Sequence, residues 1–163
     1  MKLCATSKML TVCGLALGLM ATGAAVAQQS GKDAAHDRHE NFEKMGDAFE
    51  KLEKETKKKK PDNTVIQREV ALISQLGKES VTWFPAGSGP GNGFKTESLA
   101  EVWTQPEAFK DLQDKFLAAS AKLSDLAAAN TVTHADVEHT GETCSECHKK
   151  FRKESSIFSI FGG

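Results

Sequence analysis

In a chain of 163 residues, 21 Lys and Arg nearly balance 22 Asp and Glu, so the overall charge does not point to a nucleic-acid partner. The one basic run, Lys57-Lys58-Lys59-Lys60, lacks the interleaved aromatics of a nucleic-acid platform and suits the negative end of a helix dipole; a docking patch for a redox partner is its alternative use. The length allows one domain with a single core and leaves no room for a second.

The N-terminus is organised as an export leader. Lys2 and Lys8 precede a run of small and apolar residues from Met9 to Met20, and Ala25-Val26-Ala27 supplies a small-residue cleavage site. The run is shorter than the roughly 20 residues of a spanning helix, which favours removal of 1–27 over an uncleaved anchor and leaves no stable membrane insertion afterwards. Val12 stands where a lipoprotein site wants a small residue, so Cys4 and Cys13 have no assigned role. The mature chain, 28–163, keeps only Cys144 and Cys147, too few for a disulfide framework.

Apolar spacing predicts four helices. Phe42, Met45, Phe49 and Leu52 recur at steps of three and four between Asp37 and Lys60, and Pro61 ends that helix. Asp62 or Asn63 caps a second, with Ile66, Val70, Ile73 and Leu76 on its buried face and Gly77 loosening its end. Between Trp83 and Trp103 the periodicity gives way to Phe84-Pro85-Ala86-Gly87-Ser88-Gly89-Pro90-Gly91-Asn92-Gly93, a long crossover that is either a plain connection or a functional loop anchored by Trp83, Phe84, Phe94 and Trp103. A third helix opens near Pro106 and carries Phe109, Leu112, Phe116, Ala119, Leu123 and Leu126; the fourth starts after Thr133. No segment alternates at period two and no repeat is evident. The fold class is therefore all-α, an antiparallel four-helix bundle with a long loop between helices 2 and 3.

The last helix holds Cys144-Ser-Glu-Cys147-His148. Two cysteines three apart, followed at once by histidine, form the signature of covalent haem attachment. On a helix the two thiols share a face, each able to bond one porphyrin vinyl group, and the next residue brings an imidazole to the iron. A thioredoxin-like dithiol would need a βαβ context. A zinc site would need further ligands, which His134 and His139 could supply only at unusual spacing.

These features, with the Trp-Phe-Pro-Ala-Gly-Ser-Gly-Pro loop and C-x-x-C-H-x-x-F-R near the C-terminus, resemble the cytochromes c' from about Arg38 to Lys153. The resemblance implies a periplasmic four-helix bundle, often a homodimer, with one haem c. Its iron would be five-coordinate with His148 as axial ligand, and its open face would bind nitric oxide (NO) and carbon monoxide (CO) but scarcely dioxygen. In the family the first helix presents a residue over the distal haem face four positions after an Arg that approaches the propionates; the matching residues are Phe42 and Arg38, one helical turn apart. His39 and Glu97 match positions near the haem edge. Arg152, four after His148, matches an Arg beside the ligand histidine, where a fixed cation bears on redox potential.

Phe42 is either this distal lid or an ordinary core aromatic. An apolar lid offers bound dioxygen no hydrogen-bond donor, which selects for NO and CO. Met45, one turn on, could instead complete a His/Met site and make a six-coordinate, low-spin electron carrier, although relatives with that ligand place it at the position of Phe42. An enzyme is not expected, since no distal acid–base pair of the kind peroxidase chemistry needs is present. The redox partner is not encoded in any motif. Residues 154–163, with Ile157, Phe158, Ile160 and Phe161, form an apolar extension that either docks on the bundle or a partner, or frays.

Overall fold

The structure, a computed structural model, describes residues 23–153, with side chains from Ser30 onward. Most of the expected leader and the whole apolar extension 154–163 lie outside the described residues. The described residues form four long helices and one short helical turn: α1 (Gly23–Thr56), α2 (Asn63–Ser80), α3 (Glu101–Thr104), α4 (Pro106–Ala128) and α5 (His134–Phe151). The described residues contain no strand; a lone antiparallel bridge joins Ser98 to Arg152.

Local chemistry explains most boundaries. Asp62 caps α2 by accepting from the Thr64 amide at 2.8 Å. Pro106 opens α4 at a position where its missing N–H leaves no bond unmade. Thr133 and Asp136 form a reciprocal capping box at the start of α5, with the Thr133 amide 2.9 Å from the Asp136 carboxylate. Between α4 and α5 the chain reverses at Asn130, whose φ of 57° is one that Asn tolerates better than most residues.

Three boundaries differ from the sequence expectation. α1 begins at Gly23 rather than near Asp37 and runs through the expected cut after Ala27, because its earlier turns are built from Ala and Gln, good helix formers without large apolar side chains to mark a stripe. It stops at Thr56, before the four lysines; Thr56 Oγ1 turns back to donate to the Leu52 and Glu53 carbonyls. Gly77 does not loosen α2. It is buried, and a Cβ there would come within 2.8 Å of the Phe116 ring, so the glycine lets α4 approach α2.

Around the ring the neighbours are α1–α2, α2–α4, α4–α5 and α5–α1, and the last seam is the most sparsely packed. Gln67 reaches the Ala127 carbonyl while Gln113 reaches that of Ser80, so α2 and α4 run antiparallel. Met45, Ala48, Leu52, Ile66, Val70, Ile73, Leu123, Ala127 and Val137 form the main core, most of it toward the α1–α2 turn. A second cluster, Val102, Phe109 and Phe151, packs with Phe84, Trp103 and Cys147 nearer the other end. No helix among the described residues is long and apolar enough to cross a membrane.

The capping box gives a direct check on how α5 is held. Thr133→Ala should lower the unfolding free energy of the holoprotein by ~1 kcal/mol. Chemical denaturation of the two proteins should show the midpoint shift with an unchanged slope.

Candidate haem site

Along the sparse α1–α5 seam lies a cavity of about 1160 Å³. Cys144, Cys147 and His148 line it from α5, Arg38, His39, Phe42, Met45 and Gly46 from α1, and Phe84, Phe94, Glu97 and Arg152 from the crossover and the end of α5. Thr56 Oγ1 lies 3.3 Å from His134 Nδ1, pinning the end of α1 to the start of α5. Phe42 lies as many residues back from Thr56 as His148 lies forward from His134, so the two stand at about the same level on facing helices.

The proximal wall has the donor chemistry a haem needs. Burial pushes the Cys144 thiol up to about 12, helped by Cys147, and pushes Cys147 up to about 11. Both are thiols rather than thiolates at neutral pH, the opposite of the lowered values that drive dithiol redox chemistry. Burial holds His148 down at about 4, with the Arg152 cation adding to the effect and Glu97 opposing it. The imidazole is thus neutral, the form that ligates a metal. The zinc alternative gains nothing: His134 is engaged by Thr56 and Glu138, His139 by Glu142, and the described residues hold no cluster of three or more metal-ligating side chains.

Across the cavity, Phe42 exposes 37% of its surface and Arg38 only 3%. The Phe42 ring meets Trp83 edge-on at 5.0 Å and Phe84 at 6.2 Å. Phe84 meets Phe109 at 4.7 Å, and Phe109 meets Phe151 at 5.1 Å, so aromatic contacts run unbroken from α1 through the crossover and α4 to α5. Met45 packs into the main core and also touches the cavity wall. His39 lies at the cavity rim, exposed, 3.3 Å from Glu43.

Arg152 departs from the expected helical register. The helix ends at Phe151, and Arg152 is its extended C-cap (φ −119°, ψ 144°), because residues 97–99 pair with residues 151–153 instead: Leu99 N bonds Phe151 O at 2.9 Å and Lys153 N bonds Glu97 O at 2.8 Å. The Arg152 guanidinium pairs with Glu97, Nε to Oε2 at 2.7 Å, so two residues expected separately form one ion pair at the cavity edge.

Sequence reasoning missed Gly46 on α1 and Gly141 on α5. Both lie inside helices, where glycine is unfavourable by roughly 0.5–1 kcal/mol relative to alanine, both line the cavity, and a Cβ on either would meet nothing within 4 Å. Their shared trait is clearance for something between the helices. The available signal was a glycine one turn after Phe42 on the same stripe.

Bundle and motif together define a helical c-type haem protein. The sequence profile of cytochrome c' matches residues 33–152. A cytochrome c' of Rubrivivax gelatinosus is 34% identical over 127 residues, 75% of this chain and 95% of that protein. The crystal structure of the cytochrome c' from that organism superposes with TM-score 0.67 at 32% identity, covering 76% of this chain and 97% of that one. An Alcaligenes xylosoxidans cytochrome c' variant, solved in the ferrous state with NO bound, matches in fold with TM-score 0.67 at 23% identity, covering 77% and 97%. The chain belongs to the cytochrome c' family. Like its family it carries a covalently attached c-type haem.

If Gly46 provides clearance for the haem, Gly46→Leu should reduce haem per polypeptide severalfold while Gly46→Ala has a much smaller effect. A pyridine haemochrome assay on purified protein reads the ratio.

Proposed function

We propose that Cys144 and Cys147 bond the porphyrin, that His148 is the axial iron ligand, and that Phe42 stands over the opposite face, leaving the sixth position open to NO and CO. The observation that carries this reading is the pairing of levels: Phe42 turns an exposed ring into the cavity opposite His148, and phenylalanine cannot ligate iron. The nearest imidazole on α1, that of His39, sits exposed beside Glu43. The family relation supports gas binding, and the Alcaligenes xylosoxidans protein is an instance with NO bound. The haem supplies the iron; the protein's part is to hold one face by a neutral imidazole and wall the other with apolar rings that offer dioxygen no hydrogen bond.

Arg38 is a buried cation with no carboxylate at ion-pair distance among the described residues, which suits a haem propionate. His39 and the Glu97–Arg152 pair belong to the rim, the latter holding a fixed cation near His148. We assign 1–27 to a cleaved leader and 28–163 to a single periplasmic haem domain with 154–163 as its extension. This is a binding and electron-exchange protein rather than an enzyme: apolar Phe42 stands at the level of His148, and the polar pair on the same helix, His39 and Glu43, sits exposed at the rim rather than over the iron position.

Met45 supports a second reading, because its contact with the cavity wall puts a thioether one turn from Phe42. The two readings separate in the absorption spectrum of the ferrous protein. Five-coordinate iron gives a high-spin spectrum that shifts on adding CO or NO, whereas a His/Met site gives a low-spin spectrum indifferent to CO and turned high-spin by Met45→Ala. On the first reading, Phe42→Ala should speed CO association about tenfold, equivalent to ~1.4 kcal/mol of barrier, as measured by flash photolysis; unchanged rates would remove Phe42 from the role of lid.

A further inference from the structure

The guanidinium of Arg38 does more than carry charge. Nη1 donates to the Trp83 carbonyl at 2.9 Å and to Ser88 Oγ at 3.0 Å, and Nη2 donates to the Ser88 carbonyl and to Thr96 Oγ1, both at 2.9 Å. Its flat face lies 4.7 Å from the Phe84 ring centre and 5.7 Å from that of Trp103. Both Nη atoms are engaged by the crossover, leaving Nε–H to face other groups. Two turns further back, a Cβ at Gly31 would lie 2.5 Å from the Gly87 carbonyl oxygen, so α1 and the crossover touch along backbone as well.

We propose that Arg38 is a positioning residue for ligand selection: by gathering both ends of the crossover onto α1, it fixes the Trp83 and Phe84 rings that buttress Phe42 and so sets how far the lid can yield to an incoming diatomic ligand. This rests on the open distal site proposed above. Trp83 and Phe84 are the rings in contact with Phe42, and Arg38 holds the first by its carbonyl and the second by its face. Lysine cannot replace it, since one ammonium does not reproduce a planar fork that bonds acceptors at three residues while stacking on an aromatic ring.

The test cuts the ties without touching the cation. In the holoprotein, Ser88→Ala with Thr96→Val removes both hydroxyl acceptors, two of the four bonds, leaves the Trp83 and Ser88 carbonyls, and keeps Arg38 to neutralise a propionate. Three readouts apply: CO association by flash photolysis, the near-ultraviolet circular dichroism of the indoles, and the haem midpoint potential. The chain has two tryptophans, Trp83 and Trp103, so the indole bands report the two ends of the crossover. The expected result is CO association faster by ~10-fold, about the effect of one hydrogen bond on an equilibrium, with weakened indole bands and an unshifted potential. Arg38→Lys should retain the potential and fail to restore the bands or the slow association. Wild-type bands and rates in the double variant would overturn the proposal and leave Arg38 a propionate partner only. Should the wild-type ferrous protein ignore CO, the open-site reading fails by itself, and weakened or intact indole bands in the double variant still decide whether Arg38 holds the crossover.

Discussion

This four-helix bundle leaves one of its four seams unfilled by side chains and must still hold together. Large empty space is expensive in a protein interior: if only a quarter of the roughly 1160 Å³ along the α1–α5 seam were dry void, ~24 cal/mol per Å³ would give about 7 kcal/mol, against a typical total stability of about 5–15 kcal/mol. The cofactor is therefore part of the core. That constraint explains the division of the interior into an aliphatic block toward the α1–α2 turn and an aromatic block around Phe109 and Phe151, with the haem cavity lying along the helices between them. It also accounts for the absence of a large side chain at Gly46 and Gly141, both on the cavity wall and beside open space.

The crossover is the wall the bundle could not supply. Two antiparallel helix pairs bury their own stripes, but closing the open seam takes side chains from elsewhere, and the Trp83–Trp103 segment brings Phe84 and Phe94 to the cavity. A loop this irregular has backbone carbonyls that need donors. Arg38 satisfies two of them, at Trp83 and Ser88, and the Trp103 indole lies within 3.2 Å of two more, at Phe84 and Pro85. Burying a cation to do this is unfavourable in itself, as the lowering of Arg38 to about 10 by desolvation indicates, but its bonds to neutral acceptors and two aromatic faces offset part of that penalty.

How much of this the sequence revealed follows from what repeats and what does not. Phe42, Met45 and Leu52, or Phe109 and Leu123, announce their helices because burial imposes a 3.6-residue period, and Thr133 announces a start because capping is a local event. The motif Cys144-Ser-Glu-Cys147-His148 is legible for the same reason: it is five consecutive residues, and the fold sets Cys144, Cys147 and His148 on one cavity wall. The early turns of α1 carry no large apolar side chains and gave no stripe to read. Nor could spacing show that Arg38 grips Ser88 and Thr96, or that Glu97 meets Arg152, since those partners are joined across the fold by a segment without period. The basic run Lys57–Lys60 was legible as charge, but only the fold sets its place. It lies at the end of the bundle where α1 meets the start of α5, so at 1.5 Å per residue along α5 it is about 20 Å from His148.

Two adjacent residues of the crossover join the two faces of the haem pocket. Thr96 accepts from Arg38, which lies one turn from Phe42, and Glu97 holds Arg152, four residues after His148. The same stretch is tied to the end of α5 by the Glu97–Lys153 and Leu99–Phe151 backbone bonds, and Lys153 Nζ returns to the Thr96 carbonyl at 2.8 Å. The chain that walls one side of the cavity is thus hydrogen-bonded to the helix end that forms the other, and Arg152 keeps its place beside His148 through Glu97 and the backbone at the end of α5 rather than through Arg38.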